Sequence, residues 1–182
     1  MHMKKILLPL VLLSLLLLTA CQNSGAEVVR WDSVHHKNGE TISLDMLRQE
    51  AEKQLPPVAD LDPNPGSSDE SYGANQAEQI RVVYYEDKVN QIILEEPAQE
   101  GTQWTLEGGI APGASLEKVK AVFGTPTREG DLISYYYDAN HTLLTEDNAD
   151  QAVYMVCFTP EGDRVDQCAV HMGEPALTPA EE

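Results

Sequence analysis

Hydrophobic residues follow three different spacings along the chain, and each spacing predicts a different kind of segment. Residues 6–18 are almost continuously apolar, interrupted only by Pro9 and Ser14. Several later stretches concentrate β-branched and aromatic residues in short runs, which is typical of strands. Two others carry apolar residues at intervals of three and four, which is typical of amphipathic helices. The chain therefore begins with an apolar segment and continues as a mixture of strands and short helices.

The strand-like runs occur in pairs separated by turn residues. Residues 80–85 and 89–94 are separated by three charged residues, and residues 153–158 and 164–170 by a stretch that contains Pro160. Runs of this composition, joined by a short polar connection, favour antiparallel hairpins. Further strands are predicted at residues 28–34, 103–106 and 132–137.

Two short helices are predicted from start signals followed by apolar stripes. Ser43 and Ser115 each stand two positions before an acidic residue, and serine is a favoured N-cap while an acid suits the first turn. Pro56 and Gly124 stand where the two patterns stop, as helix-ending residues do. The stripes comprise Leu44, Leu47, Ala51 and Leu55 in the first helix and Leu116, Val119 and Phe123 in the second.

The two halves of the chain share an order of elements. Residues 43–48 and 115–120 both contain serine, leucine, an acid, any residue, an aliphatic residue and a base, and each predicted helix precedes a hairpin. The shared order indicates an internal duplication, although helix starts favour serine and acids in any protein. The sequence predicts an α+β fold of two helix-plus-hairpin units, residues 28–106 and 107–172, which form a sheet with helices on one face.

The apolar start has the features of an export signal. Two lysines precede residues 6–18, and this run is shorter than the ~20 apolar residues that span a bilayer. Residues 18–21 (Leu-Thr-Ala-Cys) follow at once and resemble the lipobox of bacterial lipoproteins. The resemblance implies cleavage of residues 1–20 and lipid attachment at Cys21. An ordinary signal peptide with an unrelated cysteine, or an uncleaved anchor, is the alternative.

A lipid on Cys21 would hold the rest of the chain outside the cytoplasm. The protein would be anchored to the bacterial cell membrane, on its outer or its periplasmic face, because two or more acyl chains give stable anchoring. Residues 21–27 are then a flexible tether, since those after the cysteine are mostly small and polar. Residues 173–182 are acidic and contain proline, and we expect a disordered tail there.

Charge narrows the class of partner. The chain has a formal net charge of −18, and removal of residues 1–20, which hold two lysines and no acid, leaves −20. Such a domain is repelled by nucleic-acid phosphates and by anionic lipid headgroups, so no nucleic-acid partner is expected. Solubility outside the cell explains the charge most simply. A basic partner or divalent cations are the alternatives.

Two groups of possible metal ligands carry weak signals. Residues 60–76 include Asp62 and Asp69 but lack the spacing of an EF-hand loop, so an acidic loop without a built cation site is the preferred interpretation. His35 and His36 are interpreted as exposed loop residues, and as neighbours on a strand they would point to opposite faces. No metal site and no cofactor are therefore predicted.

The second half carries a motif that is similar to that of a known family. The motif consists of Gly109, Ile110, Gly113, Ser115, Val119, Gly124 and Pro126, ahead of two strands. Over residues 107–171 it resembles the SmpA/OmlA group of small envelope lipoproteins, and the tandem order is similar to the β-lactamase-inhibitor-protein-like fold. The resemblance implies a non-catalytic α+β scaffold whose sheet and loops hold another protein, an accessory role that SmpA/OmlA members play in outer-membrane protein assembly. The acidic loop and the extra N-terminal unit depart from that family.

Two cysteines lie on the arms of the last predicted hairpin. If Phe158 paired with Val165, Cys157 and Cys168 would face the same side of the sheet at a diagonal offset, and a turn two residues longer would place them opposite each other. Disulfides persist in the oxidising compartment that a lipoprotein occupies. A Cys157–Cys168 disulfide is therefore predicted, and two buried free thiols are the alternative.

Tyrosines occur consecutively within two predicted strands. Because neighbouring side chains on a strand alternate between faces, at least one ring of each run should point away from the helix-covered core. Exposed tyrosines often anchor interfaces, while an outward ring that only covers its own sheet is the alternative. The candidate binding surface comprises Tyr84, Tyr85, Tyr135, Tyr136 and Tyr137.

Catalytic motifs do not occur in the chain. It contains no Gly-x-Ser-x-Gly, no His-Glu-x-x-His, no phosphate-binding glycine loop and no Cys-x-x-Cys. His141 in a loop and His171 at a strand end are expected to be exposed or to serve as caps rather than to act as a general base. The expected function is that of a monomeric, non-enzymatic lipoprotein that binds a protein or an envelope polymer. A cell-surface hydrolase or a cation-dependent sensor that uses the acidic loop is the alternative.

Overall fold

Short antiparallel strands form most of the structure. The computed structural model describes residues 31–55, 70–73, 80–95 and 104–173. Its α-helices are α1 (Arg48–Gln54) and α2 (Leu116–Phe123), and two 3-10 helices span Glu107–Gly109 and Glu146–Gln151. The strands are β1 (Ser33–His36), β2 (Thr41–Ser43), β3 (Glu70–Gly73), β4 (Ile80–Tyr85), β5 (Lys88–Glu95), β6 (Trp104–Thr105), β7 (Arg128–Glu129), β8 (Ile133–Tyr137), β9 (Tyr154–Glu161) and β10 (Arg164–Met172).

Two antiparallel sheets organise these strands. The larger has seven strands in the order β3-β4-β5-β10-β9-β8-β7, and the smaller has three in the order β2-β1-β6. Pairing between β5 and β10, with Leu94 opposite Cys168, joins the two long hairpins into one sheet. The predicted α+β class is confirmed. The predicted division into two units at residues 106–107 stays a prediction.

The two α-helices and the small sheet cover the same face of the large sheet. Alternation in β4 buries Ile80, Val82 and Tyr84, and these residues share one core with Ala51 of α1 and Val119 of α2. The small sheet adds apolar residues to the same core. Phe123 of α2 places its ring 5.3 Å from that of Tyr135 and 5.4 Å from that of Phe158, measured between centroids. The buried cluster is therefore continuous across both hairpins.

The local sequence signals predicted α2 and the two hairpins correctly. The Lys118 N–H donates to the Ser115 Oγ at 3.2 Å, so Ser115 is the N-cap, as predicted. The helix ends at Gly124, whose φ of 83° suits a residue without a Cβ. Both predicted hairpins are confirmed. The second connection is shorter than predicted, because β9 continues to Glu161 and β10 starts at Arg164.

The predicted start of the first helix is wrong. Ser43 belongs to β2, where it lies opposite Ser33, and α1 begins only at Arg48. The Leu44 N–H donates to the Asp32 carbonyl. The backbone next to Ser43 is therefore engaged in strand pairing and cannot form the first turn of a helix. The serine-containing segments of the two halves therefore have different structures.

Several predictions fall partly or wholly outside the described residues. The export signal, Cys21, the tether and most of the acidic tail lie there. Of the predicted acidic loop at residues 60–76, the four residues Glu70–Gly73 form an edge strand paired with β4, and the rest lies outside. Of the first predicted strand, residues 28–30 lie outside, Trp31 and Asp32 form a turn, and β1 begins at Ser33. Within the described ranges, every helix is too short or too polar to span a membrane.

Candidate binding face

The large sheet has a second face, opposite the helices, which we call the open face. Strand alternation and register place its side chains in rows that run across the strands. In the central row, Ile93 lies opposite Arg81 on one side and Ala169 on the other, and Cys157 lies between Ala169 and Ser134. The open face comprises Arg81, Val83, Tyr85, Lys88, Gln91, Ile93, Glu95, Arg128, Ser134, Tyr136, Met155, Cys157, Thr159, Gln167, Ala169 and His171.

Most residues of the open face are half-buried. Val83, Ile93 and Met155 are neither in the core nor fully exposed, and Tyr85 at the β4 end is 52% exposed. Residues 143–152 cover the β8 end, where Leu144 and two alanines pack with Tyr136 and Met155 in a second cluster. Both α-helices contribute only to the core on the opposite side. Apolar side chains on the open face are thus partly accessible.

Thr127 ties the covering segment to the sheet. Its hydroxyl donates to the Leu144 carbonyl at 2.8 Å and accepts from the Tyr136 N–H at 3.0 Å. Both bonds are buried, which makes them difficult to exchange with water. The guanidinium of Arg128 lies 5.8 Å from the centre of the Tyr136 ring on the same side. Residues 143–152 are therefore a fixed border of the open face.

Carboxylates are scarce on the open face. Among the described residues, Glu95 is the one carboxylate in the three central rows, in a chain with 30 acidic residues. It accepts from Arg81 Nη2 at 2.7 Å and from Gln167 Nε2 at 3.3 Å. Exposed carboxylates stand instead at its border, among them those of Asp147 and Asp150 in the covering segment. Depletion of charge at the centre and polar residues at the rim are typical of protein interfaces.

Four of the five tyrosines predicted as a binding surface are buried. Tyr84, Tyr135 and Tyr137 face the core, and burial raises the pKa of Tyr84 and Tyr135 to about 12. Tyr136 does point away from the helices, as expected for one ring of its run, but the second cluster covers it. Only Tyr85 remains a candidate contact residue among the five.

The predicted disulfide does not form. Cys157 and Cys168 are both free, because Cys157 lies opposite Ala169 and Cys168 lies opposite Phe158. This register puts the two side chains on different faces of the sheet. Desolvation raises the pKa of the Cys157 thiol to about 11, and it raises that of the Cys168 thiol as well. Two free thiols, the alternative considered from the sequence, are what the structure contains.

His141 is exposed, as expected, whereas His35, His36 and His171 are more enclosed than expected. His35 and His36 lie in β1 rather than in a loop, and their Nδ1 atoms contact Thr41 Oγ1 at 3.2 Å and Glu40 Oε2 at 2.8 Å. His171 is half-buried in β10, and desolvation lowers the pKa of its imidazole. Among the described residues, no three side chains drawn from His, Cys, Asp and Glu are placed to share a metal ion.

A shallow pocket of about 480 Å³ lies beside the start of α1, on the helix side of the sheet. Its lining comprises Leu47, Arg48, Gln49, Glu52 and Asp87. Arg48 Nε donates to Glu52 Oε1 at 2.8 Å, and the Arg48 guanidinium lies 5.3 Å from the centre of the Tyr84 ring. The pocket brings one guanidinium near carboxylates but contains no arrangement typical of a catalytic site.

The sequence could not have located most of the open face. Ile93, Ala169 and Gln167 carry no signal as single residues, and they become neighbours only through the β5–β10 register. Comparison of the chain with protein-family models, with curated proteins and with solved structures found no match. The resemblance to SmpA/OmlA lipoproteins is therefore carried by the quoted residues alone.

Proposed function

We propose that this protein is a non-catalytic module that binds another protein through its open face. The observation that carries the proposal is a half-buried sheet face that presents apolar side chains and has one carboxylate among the described residues of its central rows, in a chain of net charge −18. A face of this kind loses little on desolvation when a partner covers it, because few charges must leave water. Val83, Ile93 and Met155 are its apolar contacts, and Tyr85 is its exposed aromatic anchor.

The size and border of the open face favour a basic partner. Five strands about 4.8 Å apart and three rows about 7 Å apart give roughly 500 Å², less than the ~800 Å² that each partner buries in a standard interface. A partner must therefore also contact the border, where Asp147, Asp150 and Glu161 are exposed. Basic residues on the partner would complement these carboxylates. A second copy of the chain would be repelled by its like charge, which supports a monomer.

The proposed location is the outer or periplasmic face of the bacterial cell membrane, with the chain anchored by lipid on Cys21. Support comes from the lipobox-like residues 18–21, from their position after an apolar run, and from the SmpA/OmlA-like motif in the second half. The role as a binding accessory, rather than an enzyme, is supported by the lack of recognisable catalytic motifs in the sequence. No observation on the described residues favours the hydrolase or the cation sensor.

Site-specific photocrosslinking in intact cells tests the binding proposal. A photoreactive amino acid replaces Ile93 on the open face, and a matched control places it at Glu117, which is exposed on α2 on the other side. A discrete adduct of higher mass is expected from position 93 and not from position 117. Adducts of equal yield at both positions, or none at position 93, would refute the open face as the docking surface.

Mass spectrometry of the mature N-terminus tests the anchor separately. An acylated peptide beginning at residue 21 is expected from membrane fractions, and Cys21→Ser should abolish the acylation. An N-terminus without acyl groups would overturn the proposed location while leaving the crosslinking result to decide on binding.

A further inference from the structure

Three residues with soft or borderline metal-binding atoms occupy neighbouring positions on the middle strands of the open face. Met155 lies directly opposite His171 across the β9–β10 pair, and Cys157 lies two residues from Met155 on the same face. The pairing in this stretch is regular, because the irregularity in β10 falls between Val165 and Gln167. A thioether, a thiol and an imidazole therefore occupy three corners of one rectangle on the sheet.

The fourth corner of this rectangle is Ala169, opposite Cys157. Because its side chain is a single methyl group, the space above the centre of the rectangle is not filled from that corner. Strands about 4.8 Å apart and residues i and i+2 about 6.8 Å apart put each corner roughly 4 Å from the centre. Methionine, cysteine and histidine side chains can span that distance with metal bonds of about 2.0–2.3 Å.

The three metal-binding atoms, two sulfurs and one nitrogen, indicate which metal ion would bind. Thioether and thiolate sulfur prefer soft ions such as Cu(I), imidazole also suits copper, and hard cations require oxygen ligands. The nearest carboxylate in the rows of the open face, that of Glu95, is engaged by Arg81 and Gln167. Two sulfurs and one nitrogen on a partly dry surface therefore match a monovalent copper ion better than calcium or magnesium.

The local environment is compatible with this chemistry. All three side chains are half-buried, so that an ion can reach them while bulk water is partly excluded. The Cys157 thiol must lose its proton when it binds, so one proton is released for each ion bound.

We propose that Met155, Cys157 and His171 form a three-coordinate Cu(I) site on the open face. The site goes beyond the proposed protein-binding function and does not depend on it, because it needs no partner chain. Its position within the same face means that a bound ion would lie between this protein and anything docked there.

Competition titration with Cu(I) and a chromophoric chelator, under anaerobic conditions, tests the site. The full mature chain is used with Cys21→Ser, so that Cys157 and Cys168 are its only thiols. One ion per chain is expected, with sulfur and nitrogen neighbours in the X-ray absorption spectrum. Cys157→Ala, Met155→Leu and His171→Gln should each weaken binding by at least the roughly 10–100-fold that outer-shell changes typically cost.

Matched controls lie on the opposite face of the same sheet. Met172→Leu and Cys168→Ala remove a thioether and a thiol that point to the core, and both variants should retain the affinity of the parent. Near-ultraviolet circular dichroism confirms that each variant is folded before titration. Equal losses in the two cysteine variants, unchanged affinity in Met155→Leu, or preference for Zn²⁺ over Cu(I) would each overturn the proposal.

Discussion

Gly108 and Gly109 provide a matched test of how the turn before α2 packs. Both adopt left-handed backbone, with φ of 66° and 67°, so alanine would be strained at either position. They differ in the space around them. A Cβ at Gly108 would lie 2.7 Å from Val122 Cγ2 and 3.1 Å from Val122 Cγ1, whereas the nearest atom to a Cβ at Gly109 is Lys118 Nζ at 3.6 Å.

The expected losses follow from these two contributions. Left-handed backbone costs an alanine about 1–2 kcal/mol at either position. At Gly108 the contact with Val122 adds about 1–3 kcal/mol, because valine is restricted at χ1 and cannot easily rotate away. We therefore expect Gly108→Ala to reduce the free energy of unfolding by about 2–5 kcal/mol and Gly109→Ala by about 1–2 kcal/mol.

Urea unfolding, followed by tryptophan fluorescence, measures the difference. Trp31 and Trp104 are both buried and should report the loss of the core. In a Val122→Ala background, Gly108→Ala should lose much less free energy of unfolding, because the clash with the valine methyl groups is removed. The double-mutant cycle measures this coupling between residues 108 and 122. Equal losses for the two glycine variants, or no coupling to Val122, would refute the packing of this turn against α2.

Three further predictions concern thiols, tyrosines and a helix cap. Oxidation of the folded protein should produce no Cys157–Cys168 bridge, and both thiols should still react with a thiol reagent after denaturation. A bridged tryptic peptide would contradict the register. Burial raises the pKa of Tyr84 and Tyr135 to about 12. Their contribution to stability is therefore present below pH 10 and is lost as the pH rises through about 12. Absorbance at 295 nm should show the ionisation of these tyrosines together with unfolding, and reversible ionisation of the folded protein at lower pH would argue against their burial. Ser115→Ala should cost about 1 kcal/mol in urea unfolding, more than Ser115→Asp, and a neutral result would exclude the cap.

The sequence by itself determined the elements whose signals are local. The Ser115 cap, the stripe of α2 and its stop at Gly124 lie within a few residues of one another, and the helix formed as predicted. The two long hairpins follow equally local patterns of β-branched residues and turns. Because helix caps and strand alternation depend on neighbours in sequence, the α+β class could be predicted without the tertiary structure.

Tertiary structure decided everything that depends on register or on distant contacts. Ser43 has the same cap signal as Ser115, yet pairing with Ser33 recruited it into a strand. A shift of one residue between strands exchanges the two faces, and the pairing of Cys157 with Ala169 alone separates the cysteines. Tyr136 is covered by a segment that follows it in sequence and folds back over it. The open face exists for the same reason, because it is assembled from strands that are far apart in the chain.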